Sequence, residues 1–307
     1  MSSAGVSIRQ IGRMSKPHLL AAGALLYGLG GAIAVFLGKF SGPGLYLFGQ
    51  GIVSCIQLMA HFLYAYYHPP RADMREERPE EEQTHPKEPP STPPFPKELP
   101  LYLAAASLLI AGTLVSVGLY QGWIPTVSWI LLAAGLLIAL TYGAPPLNLC
   151  TSGYGELTAS LGMAALIPAF AFTLQTNEIH RFVVMSSTPL IAVQYAAMIL
   201  LQLSTYASDL KYNIQTVTVR LGWATAMRLH DFALVFAILS FMIAYLNGLP
   251  RRVALGSVIA LPLALAQIWQ MERVRRGYPP RFRVVRASAF GLYGLMLYLQ
   301  ISGYLLS

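Results

Sequence analysis

Apolar residues run along this chain in long unbroken stretches, and polar residues are confined to the gaps between them. A run of about 20 apolar residues is what a helix needs to cross roughly 30 Å of hydrocarbon. A bilayer admits only helices or closed barrels, because every backbone polar group must be satisfied internally. Continuous runs without a two-residue alternation predict helices. Nine are predicted, at 17–38, 45–67, 99–120, 124–143, 156–174, 185–207, 226–247, 251–270 and 286–306. The expected fold is an all-α multi-pass membrane bundle forming a single domain over 1–307.

Composition agrees with that pattern. Apolar residues make up 55 % of the 307 positions and charged ones 11 %, less than half of the roughly 25 % usual in soluble domains. The segment 1–15 is polar and basic and leads directly into a full-length span, unlike a cleaved signal. Cys55 and Cys150 are far apart, one inside a span and one at a membrane edge, which predicts two reduced structural thiols rather than a disulfide or metal pair.

Lys and Arg fall unevenly on alternate sides of the predicted spans, 17 on the side of the N-terminus and 4 on the other. The positive-inside rule then predicts a cytoplasmic N-terminus, in a bacterial-type plasma membrane. The net charge of +8 needs no nucleic acid, since basic inner loops facing anionic lipid account for it. One inner loop, 68–98, holds eight of the thirteen acids among many prolines. Such composition opposes regular structure and predicts a mobile tether, with a lid over a site as the alternative.

The remaining acids are Glu156, Glu178, Asp209, Asp231 and Glu272. Of these, Glu156, Asp209 and Asp231 are expected at inner membrane edges, where an ionisable group is costly enough to mark function. "IQLMAHFLYAYYH" closes the second span and "LQLSTYASDLKY" the sixth, so a Gln-Leu pair is followed seven residues after the Gln by Tyr64 in one case and Asp209 in the other. Two similar helix ends four spans apart predict two four-helix units plus one added helix. Between them "YGAPPLNLCTSGYGE" must turn, because proline cannot continue a helix and restricts its predecessor.

Several polar residues have plain structural expectations. His61 and His68, seven apart on one face, are expected to hydrogen-bond within the bundle, with a ligand pair as the alternative. His230, beside Asp231, is expected to cap or snorkel at the interface. Glu156 is expected to complement the positive end of its helix. Asp209 is expected either to act functionally or to pair with Lys211 or Arg220.

On these segments the chain resembles the intramembrane aromatic prenyltransferases of the UbiA superfamily, most of all the branch that prenylates dihydroxynaphthoate in menaquinone synthesis. The likeness rests on Ser15-Lys16-Pro17-His18, "QLMAHFLYAYY", "YGAPPLNL" with "GYGEL", and "SDLKYNIQTVTVRLG", in order along nearly the whole chain. It implies transfer of a prenyl group from a prenyl diphosphate to an aromatic or quinone-precursor acceptor, with Mg2+ bridging carboxylates and phosphate oxygens. Carried onto this sequence, it implies Asp209 as the catalytic acid and metal ligand, with Asp73 as a second metal ligand. It further implies Tyr64, His68, Thr205, Lys16, Lys211, Arg220 and Asn148 as substrate-binding residues.

The sequence departs from the family pattern at most of its charged positions. Where the first motif has Asn, an acid beside it, and Asp four and eight residues beyond the Asn, this chain has Tyr64, Ala65, His68 and Ala72, with Asp73 one place out of register. Where the second has two Asp four apart, it has Thr205 and Asp209. Basic positions after Ala-Pro-Pro-Leu read Asn148, Cys150 and Ser152, and the one before Thr-Leu-Ala-Val reads Ile214 or Gln215. A nearly neutral pocket suits an uncharged ligand better than a diphosphate. A second reading therefore stands beside the first: a non-catalytic homologue that binds a quinone, prenyl lipid or protein partner. A prenyl-chain cyclase is a third.

Overall fold

The structure, a computed structural model, describes residues 11–12, 14–68 and 96–307. Among them it is all-helical, with nine helices long and apolar enough to cross a membrane. The first six are α1 (Pro17–Phe36), α2 (Pro43–Tyr67), α3 (Leu99–Tyr120), α4 (Thr126–Gly143), α5 (Gly155–Thr176) and α6 (Arg181–Gln202). Two short helices follow, α7 (Tyr206–Lys211) and α8 (Val217–Leu221). The last three spans are α9 (Trp223–Leu246), α10 (Arg251–Arg275) and α11 (Phe282–Leu305). Each predicted run has its helix. Of the 68–98 tether only His68 and 96–98 are described, and Asp73 lies outside the described residues.

The most buried span is α6, which packs between α9 and α11, while α1 packs on α5 and α11, and α2 lies along α3. Small residues bring these backbones close, as expected where lipid supplies no hydrophobic drive between helices. A Cβ on Gly30 of α1 would stand 2.3 Å from the Pro168 carbonyl oxygen of α5. Polar pairs join α6 to α11, Ser186 with Tyr304 at 2.8 Å and Tyr293 donating to Gln194 at 3.0 Å, and α4 to α5, Ser128 donating to Thr173 at 2.9 Å.

Prolines shape two spans. In α5 a wide π turn at Gly162–Leu166 precedes Pro168, whose missing N–H would otherwise orphan a carbonyl in a regular helix. In α10 the helix breaks at Ala260, just before Pro262, into Arg251–Ile259 and Leu261–Arg275.

The sixth span departs from its predicted boundaries at both ends, beginning at Arg181 rather than 185 and stopping at Gln202 rather than 207. The Ser204 and Thr205 hydroxyls donate back to the Leu201 and Gln202 carbonyls at 2.7 and 3.2 Å. Such bonds satisfy the last carbonyls locally and end the helix. The segments matched in the sequence therefore differ in shape: α2 runs unbroken through Tyr64, whereas Asp209 sits beyond a turn on α7.

Candidate functional site

One end of the bundle, which we call the rim, gathers the polar segments that follow α2, α4 and α6. Tyr64 and His68 share the last turn of α2, their ring centroids 4.9 Å apart. Lys16 precedes Pro17 in a left-handed conformation (φ 47°), and its ammonium lies 3.9 Å from the centre of the Tyr64 ring, a cation–π distance. After α4 the chain is extended at Ala144, as a residue before proline prefers, and Asn148 is again left-handed (φ 41°). The His68 Nε2 lies 2.9 Å from the Asn148 Oδ1, and the Cys150 thiol donates to the same oxygen at 3.2 Å. Four of the expected binding residues, Lys16, Tyr64, His68 and Asn148, thus form one contiguous network closed by Cys150.

The acids lie alongside. Asp209 is 8 % exposed and accepts from the Thr205 hydroxyl at 2.8 Å. Burial raises its carboxyl above the ordinary carboxylate range, the Thr205 bond opposes that, and the nearby Glu156 charge adds to the rise. Glu156 is 1 % exposed. Its Oε1 accepts from the Val217 N–H at 3.2 Å and from the Gln202 amide, while Oε2 is buried with no protein partner. Its main task is therefore to join the starts of α5 and α8 to the end of α6, beyond the helix-end role expected for it. Burial also lowers the Lys16 ammonium, against a smaller upward pull from Cys150. The Cys150 thiol is pushed up to about 11 by burial, which outweighs the lowering by its own backbone and by Lys16.

Arg220 does not reach Asp209. It donates to the Ser152 carbonyl at 2.9 Å and its guanidinium carbon lies 5.0 Å from the Tyr154 ring centroid. Gly153, at φ 79°, lies directly beneath it, so a Cβ there would stand 2.1 Å from the Arg220 Cδ. Lys211 lies beside its neighbour, its ammonium 5.4 Å from the Tyr212 ring centroid. The two histidines of α2 take separate partners, since His61 Nδ1 lies 2.8 Å from the Ser15 carbonyl oxygen. His230 is fully buried rather than interfacial: Asp231 lies 3.0 Å from Nδ1, Gln267 lies 3.4 Å from Nε2, and Arg275 pairs with Asp231 at 2.9 Å.

Among the described residues no group of three or more His, Cys, Asp or Glu is placed to hold a metal ion. Among the described residues the carboxylate oxygens near the rim are those of Asp209 and the free oxygen of Glu156, fewer than two magnesium ions would need, since each takes oxygen ligands in near-octahedral number. Gln202 and Cys150 are the residues missed as parts of the site, whereas Glu156 was expected among the functional inner-edge acids. The sequence signal for Glu156 was its rarity as an acid at a span's edge, but nothing local pointed to Val217 or Gln202 as its partners.

These features define a class by fold: a UbiA-like bundle with nine candidate membrane spans among the described residues and a polar rim at one end. In particular, the chain superposes on a UbiA homologue from Archaeoglobus fulgidus bound to GPP and Mg2+, with a TM-score of 0.69 and 13 % identity over 96 % of this chain and 97 % of that one. Digeranylgeranylglyceryl phosphate synthase matches with a TM-score of 0.64 and 12 % identity over 97 % and 100 %. The apo UbiA homologue from Aeropyrum pernix K1 matches with a TM-score of 0.59 and 12 % identity over 92 % and 97 %. No protein-family model and no curated protein sequence matches the chain.

Proposed function

We propose that the protein holds an uncharged isoprenoid lipid, with a quinone or quinone-precursor ring at the rim and its chain among the spans, without two-metal diphosphate chemistry. The observation that carries this reading is geometric: Lys16, Tyr64, His68, Asn148 and Cys150 touch one another as a polar and aromatic cluster that contains no carboxylate. A diphosphate needs charges there; a ring carbonyl or phenol needs hydrogen bonds and flat neighbours. Tyr64, His68, Asn148 and Cys150 supply donors, acceptors and aromatic faces, and the likeness to the menaquinone branch in the sequence supports a naphthoquinone-type ring. In this reading the chain acts as one domain, and the Lys and Arg asymmetry supports a rim on the cytoplasmic side.

A second reading, prenyl transfer from a prenyl diphosphate to an aromatic acceptor, has one observation in its favour. The Glu156 Oε2 is buried and unpartnered and its charge acts on Asp209, which leaves oxygens for a single Mg2+. Asp73 is the further ligand candidate, and Lys16, Lys211 and Arg220 are the candidates to meet phosphate.

Mass spectrometry of the full chain purified in mild detergent separates the two. A copurifying quinone or prenylated ring, lost in Tyr64→Ala and unaffected by chelator, is the expected result. Magnesium-dependent consumption of a prenyl diphosphate, abolished in Asp209→Asn, would replace the first reading with the second.

A further inference from the structure

The end of the bundle opposite the rim carries its own cluster of charge. Arg181 begins α6, and Arg251 and Arg252 begin α10. The Arg181 side chain leans toward the α9–α10 connection, with Nη2 3.8 Å from where a Cβ on Gly248 would stand, three residues before Arg251. Lys39 at the same end is ion-paired with Glu178, but among the described residues Arg181, Arg251 and Arg252 form no ion pair. Arg181, Arg251 and Arg252 thus bring positive charge to one membrane edge where the Glu178 carboxylate is already taken by Lys39.

A groove starts at Arg251. It has a volume of about 370 Å³ and runs between α9 and the first half of α10, floored by Val193 of α6 and by Leu292 and Met296 of α11. The break before Pro262 creates it: the first half of α10 packs mainly on α11, while the second half packs more on α9, so a wedge opens beside Phe241 and Ala254. Its volume lies within the roughly 300–1,000 Å³ of ligand pockets. Apart from Arg251 the lining is almost wholly apolar, and the Ser257 hydroxyl is already spent on the Val253 carbonyl at 3.0 Å. Beside Arg251 and Ser257 only Tyr245 brings a polar side-chain atom to the lining, and a hydrocarbon chain is what such walls select.

We propose that this groove is a site for one anionic glycerophospholipid, with an acyl chain along the wedge and its phosphate on Arg251, supported by Arg252 and Arg181. Charge complementarity chooses this occupant. Guanidinium groups bind phosphate oxygens through paired N–H donors, and a zwitterionic headgroup would bring its own cation to a cluster that is already positive. The site is independent of the ligand proposed at the rim, which lies at the other end of the spans.

The test uses the full chain, delipidated in detergent and titrated with phosphatidylglycerol or phosphatidylcholine while native mass spectrometry counts bound lipid. One tightly retained phosphatidylglycerol is expected, with phosphatidylcholine on the order of tenfold weaker. Joint Arg251→Gln and Arg252→Gln should bring phosphatidylglycerol down to the phosphatidylcholine level. Ala254→Trp, which fills the wedge, should remove the retained lipid with the helical circular dichroism unchanged. Equal retention of the two lipids, indifference to both variants, or an isoprenoid in place of the phospholipid would each overturn the proposal.

Discussion

The Glu156 carboxylate at the start of α5 accepts a hydrogen bond from the Val217 backbone N–H at the start of α8, 3.2 Å away. Two segments 61 residues apart are thereby fixed by one buried acid, which the Gln202 amide also holds. Leaving a buried donor unsatisfied costs about 1–3 kcal/mol. Glu156→Ala is expected to lower the apparent melting temperature in detergent by several degrees. Glu156→Gln, which keeps an acceptor oxygen, should cost less. Equal losses in the two variants would mean that the acceptor role is not what matters.

Gly153 and Arg220 form a second dependence. Gly153 sits at φ 79° with no room for a Cβ, and a left-handed backbone costs an L-residue roughly 1–2 kcal/mol. Gly153→Ala should destabilise by at least that much, because it also pushes Arg220 off the Ser152 carbonyl. In an Arg220→Ala background the same change should cost less, a non-additivity that a double-mutant cycle measures.

Asp209 gives a pH signature. Burial raises its carboxyl above the ordinary 3.8, opposed by Thr205 and reinforced by Glu156. Between the unfolded value and the raised folded one, the folded chain keeps a proton that the unfolded chain has released, so this group's contribution falls as pH rises through that window and stays low above it. Asp209→Asn is neutral throughout. It is expected to be more stable than the parent at neutral pH, with the difference closing below about pH 4. Melting temperatures of the two proteins across pH decide it, and an Asn variant that is less stable at pH 7 would refute the assignment.

Cys150 should be a poor nucleophile. With its thiol pushed up to about 11, the thiolate at pH 8 is roughly one part in a thousand, and thiolate is the reactive form. Alkylation followed by intact mass should be at least about tenfold slower than for an ordinary exposed thiol. Lys16→Met should slow it further, because Lys16 is one of the groups holding the thiol down.

The UbiA-like fold was legible in short segments whose order along the chain matters more than any one of them, and solved structures at 12–13 % identity share that fold. Legibility stopped at pairings. Asn148 was a visible candidate, yet its contact with His68 spans 80 residues and depends on a left-handed backbone that "PPLNLC" does not announce. Arg220 was equally visible, but its partner is the backbone carbonyl of Ser152, a group every residue possesses and no sequence pattern marks.

By itself the sequence determined that the chain carries nine runs long and apolar enough to cross a membrane, each with its helix among the described residues, and where its polar residues are spent. Burying backbone in hydrocarbon forces helices of a fixed length, and twenty apolar residues in a row have no other stable state. Only the tertiary structure decided which polar groups meet. It ended the sixth span at Gln202, turned Glu156 into a tie between three elements, and shifted Lys16 and Asp209 toward neutrality. Those outcomes depend on distances and on exclusion from water, which arise only when the helices have packed.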